Sequence, residues 1–526
     1  MTETASRRRL SWLPVVLVVL AGLGIRALMA SHTAIVNPDG VLYIHQARAI
    51  FHGQWRELTS CGLSFVSGYP FLIAGMYSVV SDWILAARLV SILLGTLTLI
   101  PLYGILIRFL KKPASILCLL VVALTPALVS NSAEVVREPM MWFCGISGMY
   151  LVLRYTDRPK PFLLVGSGIL FMTAAWARME ALLLIPASVW YLLFFGGPGR
   201  IRRIAWFLFP IAVGSLAILW IAWCGTLSAQ QMVRGKEIVE KSFLPLVPYE
   251  NLRTELRELS RTPGLSPDMG RFLPEVRNAV WLVGLFTLAN RIMEAFFYPF
   301  LPLYVAGFVG LWHRMRFRPD LAYLMITAAL GLLLLYIHTM QTWMIYYRFL
   351  GIVLLSSAVL AGYGLQWALD KWERFRAASG RSALVWLTLL ILLAGLPKNC
   401  WRPDPDKAVF VEIGRTIAER HPPHHEKTIA TSVHTQQWIS FYANLDVPGA
   451  PNPGGRNVTW ERFPRHPLYF LITVKEKRID YVLWEENNWP ARFLPPSELL
   501  NSRFFRAVGS WNHPDTGRMI LYEVIR

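Results

Sequence analysis

Acidic side chains and cysteines are scarce in this chain of 526 residues, which has 33 Asp and Glu against 52 Lys and Arg, and five Cys. The cysteines show no paired spacing, so neither a disulfide framework nor a zinc site is indicated. There is no Gly-rich phosphate loop, dinucleotide fingerprint, His-Glu-x-x-His motif or nucleophile elbow, and nothing points to a cytosolic nucleotide as energy source or donor. No internal repeat is evident by inspection. Charge of both signs together reaches 16%, well under the roughly one quarter usual in soluble chains.

Hydrophobic residues take the place of the missing charge, at 54% of the chain. Apolar runs near the roughly 20 residues that cross a bilayer recur through the first 396 positions. They predict about eleven spans, near 11–30, 84–107, 114–131, 138–153, 161–177, 181–196, 204–225, 292–312, 320–338, 349–367 and 382–396. Basic clusters fall between alternate spans. They are Arg7, Arg8 and Arg9; Arg108, Lys111 and Lys112; and Arg154, Arg158 and Lys160. The series continues with Arg200, Arg202 and Arg203; Arg314, Arg316 and Arg318; and Lys371, Arg374, Arg376 and Arg381. Positive charge resists translocation, so these loops are expected in the cytoplasm. Topology thereby accounts for the net charge of +19 without a nucleic-acid partner. The first run has a basic start but no convincing small-residue cleavage site before Asn37, so it is expected to remain as an anchor.

The same alternation puts four features on the far side of the membrane: the loop 31–83, the turn around Glu134, the loop 226–285, and everything after 397. The expected domains are a membrane domain, 1–396, and a soluble α/β domain, 397–526. In the latter, "KTIATSV" and "RIDYVLW" read as buried strands, while "DKAVFVEIGRTIAER" and "TQQWISFYANL" read as helices. The stretch "VPGAPNPGGRN" reads as a surface loop. Within 226–285, Leu252, Leu256 and Leu259 repeat at helical spacing. That amphipathic segment suits a membrane-surface helix, a lid or a solvated packing helix.

The stretch "NPDGVLYIHQARAI" begins a helix in the first outer loop. Asn37 suits the N-cap and Pro38 the first helical position. Asp39 then falls in the first turn, where the helix dipole favours its charged form. Tyr43 and Gln46 follow on the same face, while Val41, Leu42 and Ala49 can pack.

An apolar first span, this Asp-bearing helix, and then "SGYPFLIAGMYSVVSDWILAARLVSILLG" together resemble the GT-C membrane glycosyltransferases. The likeness is to their bacterial protein-mannosyltransferase-like and aminoarabinose-transferase-like branch. Tyr69-Pro70 and Ala86-Ala87-Arg88-Leu89 match its Tyr-Pro helix and second-span start. Further on, "SNSAEVVREPMMWF", "WARMEALLLIPA" and "YYRFLGIVLLSSAVLAGYGL" resemble its second outer turn, its Arg-x-Glu turn and its late Arg-bearing span. Many relatives carry two adjacent acids in the first loop, whereas here Gly40 follows Asp39.

The resemblance implies transfer of a sugar from a polyprenyl-phosphate donor to an acceptor hydroxyl, with inversion, on the extracytoplasmic face. It implies a bacterial inner-membrane location, a cytoplasmic N-terminus and a periplasmic C-terminal domain. The acceptor could be a lipid, a glycan or a protein. No cofactor is required by the sequence, and a divalent metal is left open.

Asp39, Glu134, Arg137, Arg178, Glu180 and Arg348 all fall at outer ends of spans, where a lipid-held phosphate would sit. Asp39 is the expected base, with Glu134 a second catalytic candidate. Arg348 with Tyr347, Arg178 and Arg137 is expected to receive the donor phosphate. Tyr43 and Glu180 are candidates for contacts to substrate. Each has a plain alternative: Asp39 or Glu138 merely starting a helix, Arg348 anchoring its span, Glu134 in a solvated turn, Arg178 pairing with Glu180. His45 and His338 could join Glu134 at a metal, although a lone histidine is more often structural. Two other classes share the many spans, a lipid or glycan transporter and an O-antigen ligase or polymerase. The first would carry ionisable residues or broken helices at mid-membrane. The second resembles proteins with a large late outer loop rich in Arg and His.

Overall fold

A bilayer leaves no water for stray backbone groups, so helices with satisfied ends set this architecture. The computed structural model describes residues 2–63, 65–195, 199–223, 247–311, 318–376, 380–401, 404–422, 424–453, 458–459, 467–489 and 504–525. It divides into two compact units. One comprises 1–28, 91–132 and 137–400; the other comprises 29–90, 133–136 and 401–526. The expected boundary at 396/397 therefore describes only part of the division. Residues 29–90 and 133–136 belong with the C-terminal segment.

Among the described residues, seven helices are long and apolar enough to cross a membrane, and an eighth if the bent pair Lys112–Leu124 and Pro126–Ala133 is one span. Tyr69–Val80, Pro161–Ala177, Met179–Phe195 and Leu301–Leu311 are shorter apolar helices. The chain is a polytopic α-helical membrane protein, as its sequence predicts. One expected stretch is corrected. A continuous helix runs Pro267–Phe296, from within what reads as the outer loop 226–285 into the first five residues of the expected span 292–312. Ser266 caps it by accepting from the Met269 N–H at 3.3 Å, and Phe297, at a φ of +64°, breaks it before Leu301–Leu311. Arg277 and Arg291 bracket its central apolar run and disguise it in the sequence. Residues 226–246, with Arg234, and 312–317, with Arg314 and Arg316, lie outside the described residues.

The bent pair shows how the first unit handles polar backbone. Pro126 has no N–H to offer Val122, and the helix turns through 52° there. The carbonyls of Ala123 and Leu124 are thereby released from the helical ladder. Arg26 Nη1 donates to Ala123 O at 3.2 Å, and Asn399 Nδ2 donates to Leu124 O at 2.8 Å. Both side chains are buried. Elsewhere the helices meet backbone to backbone. A Cβ on Gly364 would stand 2.1 Å from Leu303 O, so only glycine allows the Leu301–Leu311 and Gly351–Arg376 helices to touch there.

The second unit contains a five-stranded sheet. Its strands are β1 (Ile429–Thr431), β2 (Val458–Thr459), β3 (Tyr481–Glu485), β4 (Phe505–His513) and β5 (Gly517–Val524). Their order is β2-β1-β3-β5-β4, with β1 parallel to both neighbours and the other pairings antiparallel. β1 and β3 lie in the two stretches read as strands, and Ala408–Ala418 and Gln436–Ala443 are the two helices read beside them. Alternation divides the core. Ile429, Tyr481 and Leu483 pack with Phe410, Ile413 and Ile439 on one face, while Ala430 and Val482 pack with Phe470 and Tyr522 on the other. The β4–β5 hairpin, not among the elements expected from sequence, turns through Pro514, Asp515 and Thr516 to Gly517, which has a φ of +70°. The Pro/Gly-rich loop is irregular from 447 to 453, and 454–457 lie outside the described residues.

Residues 29–90 are stitched into this unit. Tyr442 Oη accepts from the Val36 N–H at 2.8 Å, and Trp438 Nε1 donates to Val36 O at 2.8 Å. Arg48 Nε donates to Gly449 O at 2.7 Å and Nη1 to Leu445 O at 3.0 Å. Asn399→Leu should strand the Leu124 carbonyl and cost about 1–3 kcal/mol. A lowered unfolding midpoint of the purified protein in detergent checks this, and an unchanged midpoint would refute the bend's dependence on Asn399.

Candidate functional site

Two groups of polar side chains emerge, one in each unit. In the second unit Asn37 caps the helix Pro38–Phe51, its Oδ1 accepting from the Gly40 N–H at 2.7 Å. Its Nδ2 faces Glu134 Oε2 at 3.3 Å and Val135 O at 3.2 Å. One asparagine thus ties the turn carrying Glu134 to the turn carrying Asp39. Gly40 makes that approach possible. A Cβ there would stand 2.8 Å from the Val135 Cβ and 2.9 Å from its carbonyl oxygen. The missing second acid has a steric reason: no side chain fits at position 40.

Other expectations about this helix change. Residues 40–49 are all buried, so the proposed division into a polar stripe and a packing stripe does not hold. Tyr43 is 4% exposed and packs edge-on against Tyr69, their centroids 5.6 Å apart. Gln46 Nε2 holds the carbonyls of Leu58 and Phe65, at 3.0 and 2.8 Å. His45 lies with Nδ1 at 3.0 Å from Pro451 O and Nε2 at 2.9 Å from Glu57 O. Ser60 Oγ also lies 3.2 Å from Nε2, so the ring, with one donor and one acceptor nitrogen when neutral, is enclosed by this unit's own polar groups. Among the described residues no cluster of three His, Cys, Asp or Glu could hold a metal. Tyr69 Oη donates to Ala87 O at 3.1 Å, which joins the Tyr-Pro and Ala-Ala-Arg motifs.

Burial lowers the His45 pKa against the opposing pull of the carbonyls of Glu57 and Pro451. A base with a lowered folded pKa binds fewer protons folded than unfolded. Stability should therefore fall as pH drops below the ordinary value near 6.5 toward the lowered one. His45→Gln should flatten this slope in thermal unfolding recorded between pH 5 and 8; an unaltered slope would assign the effect elsewhere.

In the first unit Glu138 is the hub. It opens the helix Glu138–Asp157 and is 1% exposed. Arg178 donates to its Oε1 through Nη1, and Arg348 Nε lies 3.6 Å from the same oxygen. Arg178 also grips Glu180, with Nε to Oε2 at 3.1 Å and Nη2 to Oε1 at 2.5 Å. Burial works against the charged form of Glu180 in this turn. The charge of and hydrogen bond from Arg178, with Arg137 nearby, outweigh it and hold the carboxyl at about 2. Phe349 sits under both guanidinium groups, 4.5 Å from that of Arg178 and 5.5 Å from that of Arg348. Arg291 covers the ring of Tyr347 at 5.6 Å, and His338 meets Phe349 edge-on at 5.4 Å.

Arg178 joins Glu138 and Glu180, Arg348 approaches Glu138, and Arg137 is near enough to Glu180 to favour its charged form. Arg178 has its donors engaged by carboxylates. The Arg348 side chain is 26% exposed and is the one better placed to meet an incoming anion. Glu138 reads in the sequence only as a helix start before Pro139. Its first-turn acid was visible, but its partners 40 and 210 residues away were not.

Residues 67–223 match the family described as dolichyl-phosphate-mannose-protein mannosyltransferase. No curated protein matches in sequence. Among solved structures, ArnT from Cupriavidus metallidurans bound to undecaprenyl phosphate is similar with a TM-score of 0.59 and 14% identity, over 97% of this chain and 98% of that one. The archaeal oligosaccharyltransferase AglB from Archaeoglobus fulgidus, in complex with an inhibitory peptide and a dolichol-phosphate, is similar with a TM-score of 0.56 and 12% identity. That match covers 98% of this chain and 74% of the other.

Glu138→Gln should weaken the hold on both arginines and leave a positive excess buried, costing about 3–5 kcal/mol. Loss of thermal stability in detergent checks this, and a neutral outcome would show that Glu138 is not the hub. The fold of this chain is that of ArnT and AglB.

Proposed function

We propose that the chain is an integral-membrane glycosyltransferase that moves a sugar from a polyprenyl-phosphate donor to an acceptor hydroxyl on the extracytoplasmic face. The observation that carries the reading is the group formed by Glu138, Arg178 and Arg348, in which a buried carboxylate fixes two guanidinium groups. Support comes from the GT-C fold and from two neighbours, one bound to undecaprenyl phosphate and one to a dolichol-phosphate. The protein resides in a bacterial inner membrane with its N-terminus in the cytoplasm and residues 397–526 in the periplasm. The basic clusters between alternate spans support that orientation.

In this reading the acceptor oxygen attacks the anomeric carbon as the carbon–oxygen bond to the lipid phosphate breaks. The electron pair leaves with the phosphate, whose charge Arg348 neutralises, with Arg137 and Tyr347 close in sequence to the same turns. The acceptor proton passes to Asp39. A single displacement inverts the anomeric centre. Arg178 positions rather than binds, because its donors already hold Glu138 and Glu180. Glu134 orients Asn37 and through it the turn bearing Asp39. Tyr43 supports Tyr69 from within the unit.

The test is release of free lipid phosphate from a polyprenyl-phosphate sugar, with and without acceptor, by the purified protein. Asp39→Asn should lower kcat by about 10²–10⁴ while expression and thermal stability stay normal. Wild-type turnover in that variant would remove the base. Arg348→Ala should raise KM for the donor and lower kcat by about 10²–10³. Unchanged kinetics would return Arg348 to membrane anchoring. Absence of any lipid-phosphate release under all acceptors would refute the activity.

A further inference from the structure

A second charged cavity lies in the first unit, at the opposite end of the helix Glu138–Asp157 from Glu138. That helix has 20 residues and spans about 30 Å at 1.5 Å per residue. The cavity is about 550 Å³ and is lined by Arg108, Arg154, Arg318, Asp157, Asp320 and, on its apolar side, Ile107. Three of the six basic clusters thus meet around one opening, although they are far apart in the chain.

The three arginines are not equivalent. Arg108 is fully occupied as a wall of the cavity. Its Nε donates to Asp320 Oδ2 at 2.7 Å, its Nη2 to Thr156 Oγ1 at 2.9 Å, and its Nη1 to Leu153 O at 3.2 Å and to Asp157. Tyr191 completes this arrangement by donating to Asp320. The Arg154 and Arg318 side chains make no ion pair or hydrogen bond among the described residues. Three cations against two carboxylates leave one positive charge in excess, located on these two forks.

Ile107 is 47% exposed and also lines a neighbouring cavity of about 300 Å³. The walls of that second space are Trp12, Tyr103 and Leu110, with Lys112 at its edge. A cationic chamber therefore adjoins an apolar groove bordered by Trp, Tyr and Lys, the side chains that favour the headgroup level of a bilayer. A soluble anion would use the first space and leave the second empty. A phosphate carrying an acyl chain uses both.

We propose that this pair of cavities binds an anionic phospholipid, with Arg154 and Arg318 holding its phosphate and its chain lying past Ile107 against Trp12, Tyr103 and Leu110. The site is separate from the Glu138 group and does not rest on the transferase reading. Planar guanidinium forks match phosphate oxygens, and their attraction adds to that of the basic surface around them. Removing both leaves the Arg108–Asp157–Asp320 contacts intact.

The experiment is native mass spectrometry of the full-length protein in detergent, titrated with phosphatidylglycerol or phosphatidylcholine. Phosphatidylglycerol should bind, and Arg154→Gln with Arg318→Gln should weaken it on the order of tenfold. Lys371→Gln, an exposed cation that lines neither cavity, should leave it unchanged. Ile107→Glu, at an exposed position, should reproduce the loss should the double variant fold poorly. Equal phosphatidylglycerol binding by the double variant and the Lys371→Gln control overturns the proposal. So does displacement of the lipid by millimolar inorganic phosphate, which would assign the site to a free anion. Equal retention of phosphatidylcholine and phosphatidylglycerol overturns it as well.

Discussion

A carboxylate as buried as Glu138 must be neutralised where it stands, because an uncompensated charge inside an apolar bundle is too costly to keep. Two arginines from two later turns do this, and each is thereby fixed in direction. The Arg178 side chain is held by three contacts to carboxylates, and Phe349 supports both guanidinium groups from beneath. The arrangement makes positive charge available without letting it wander. An arginine on a bare helix end would sample many rotamers before meeting a phosphate. One held over an aromatic ring and beside a buried acid loses less freedom on binding.

The same logic recurs with neutral backbone carbonyls as the acceptors. Arg26 and Asn399 take the carbonyls released at the Pro126 bend, and Gln46 takes two more in the loop that follows the Asp39 helix. These side chains read in the sequence as isolated polar residues with no evident task. Their roles are defined by backbone irregularities elsewhere in the chain.

Local features were therefore legible and long-range ones were not. The Asn37 cap follows from residue type and spacing, and so do the helices around 408 and 436 and the strands at 429 and 481. The long helix Pro267–Phe296 was hidden because its two flanking arginines interrupt an otherwise continuous apolar run. Gly40 looked like a lost acid, whereas its meaning is steric and depends on Val135, 95 residues on. Glu138 was recognised as a first-turn acid but not as a shared partner, since nothing near it in sequence foretells Arg178 or Arg348. His45 was open to a metal or a structural role, and the structural one could not be specified because its two carbonyl partners lie in unrelated segments.

The hydrogen bonds from Val36 to Tyr442 and Trp438 cross 406 and 402 positions of chain. Contacts so distant in sequence form only after the intervening chain has been made. The turn that presents Asp39 leaves the ribosome well before its supports at Trp438 and Tyr442. Before Trp438 and Tyr442 are made, the turn bearing the acid can already meet Glu134 and Val135, so its bracing is completed in two stages.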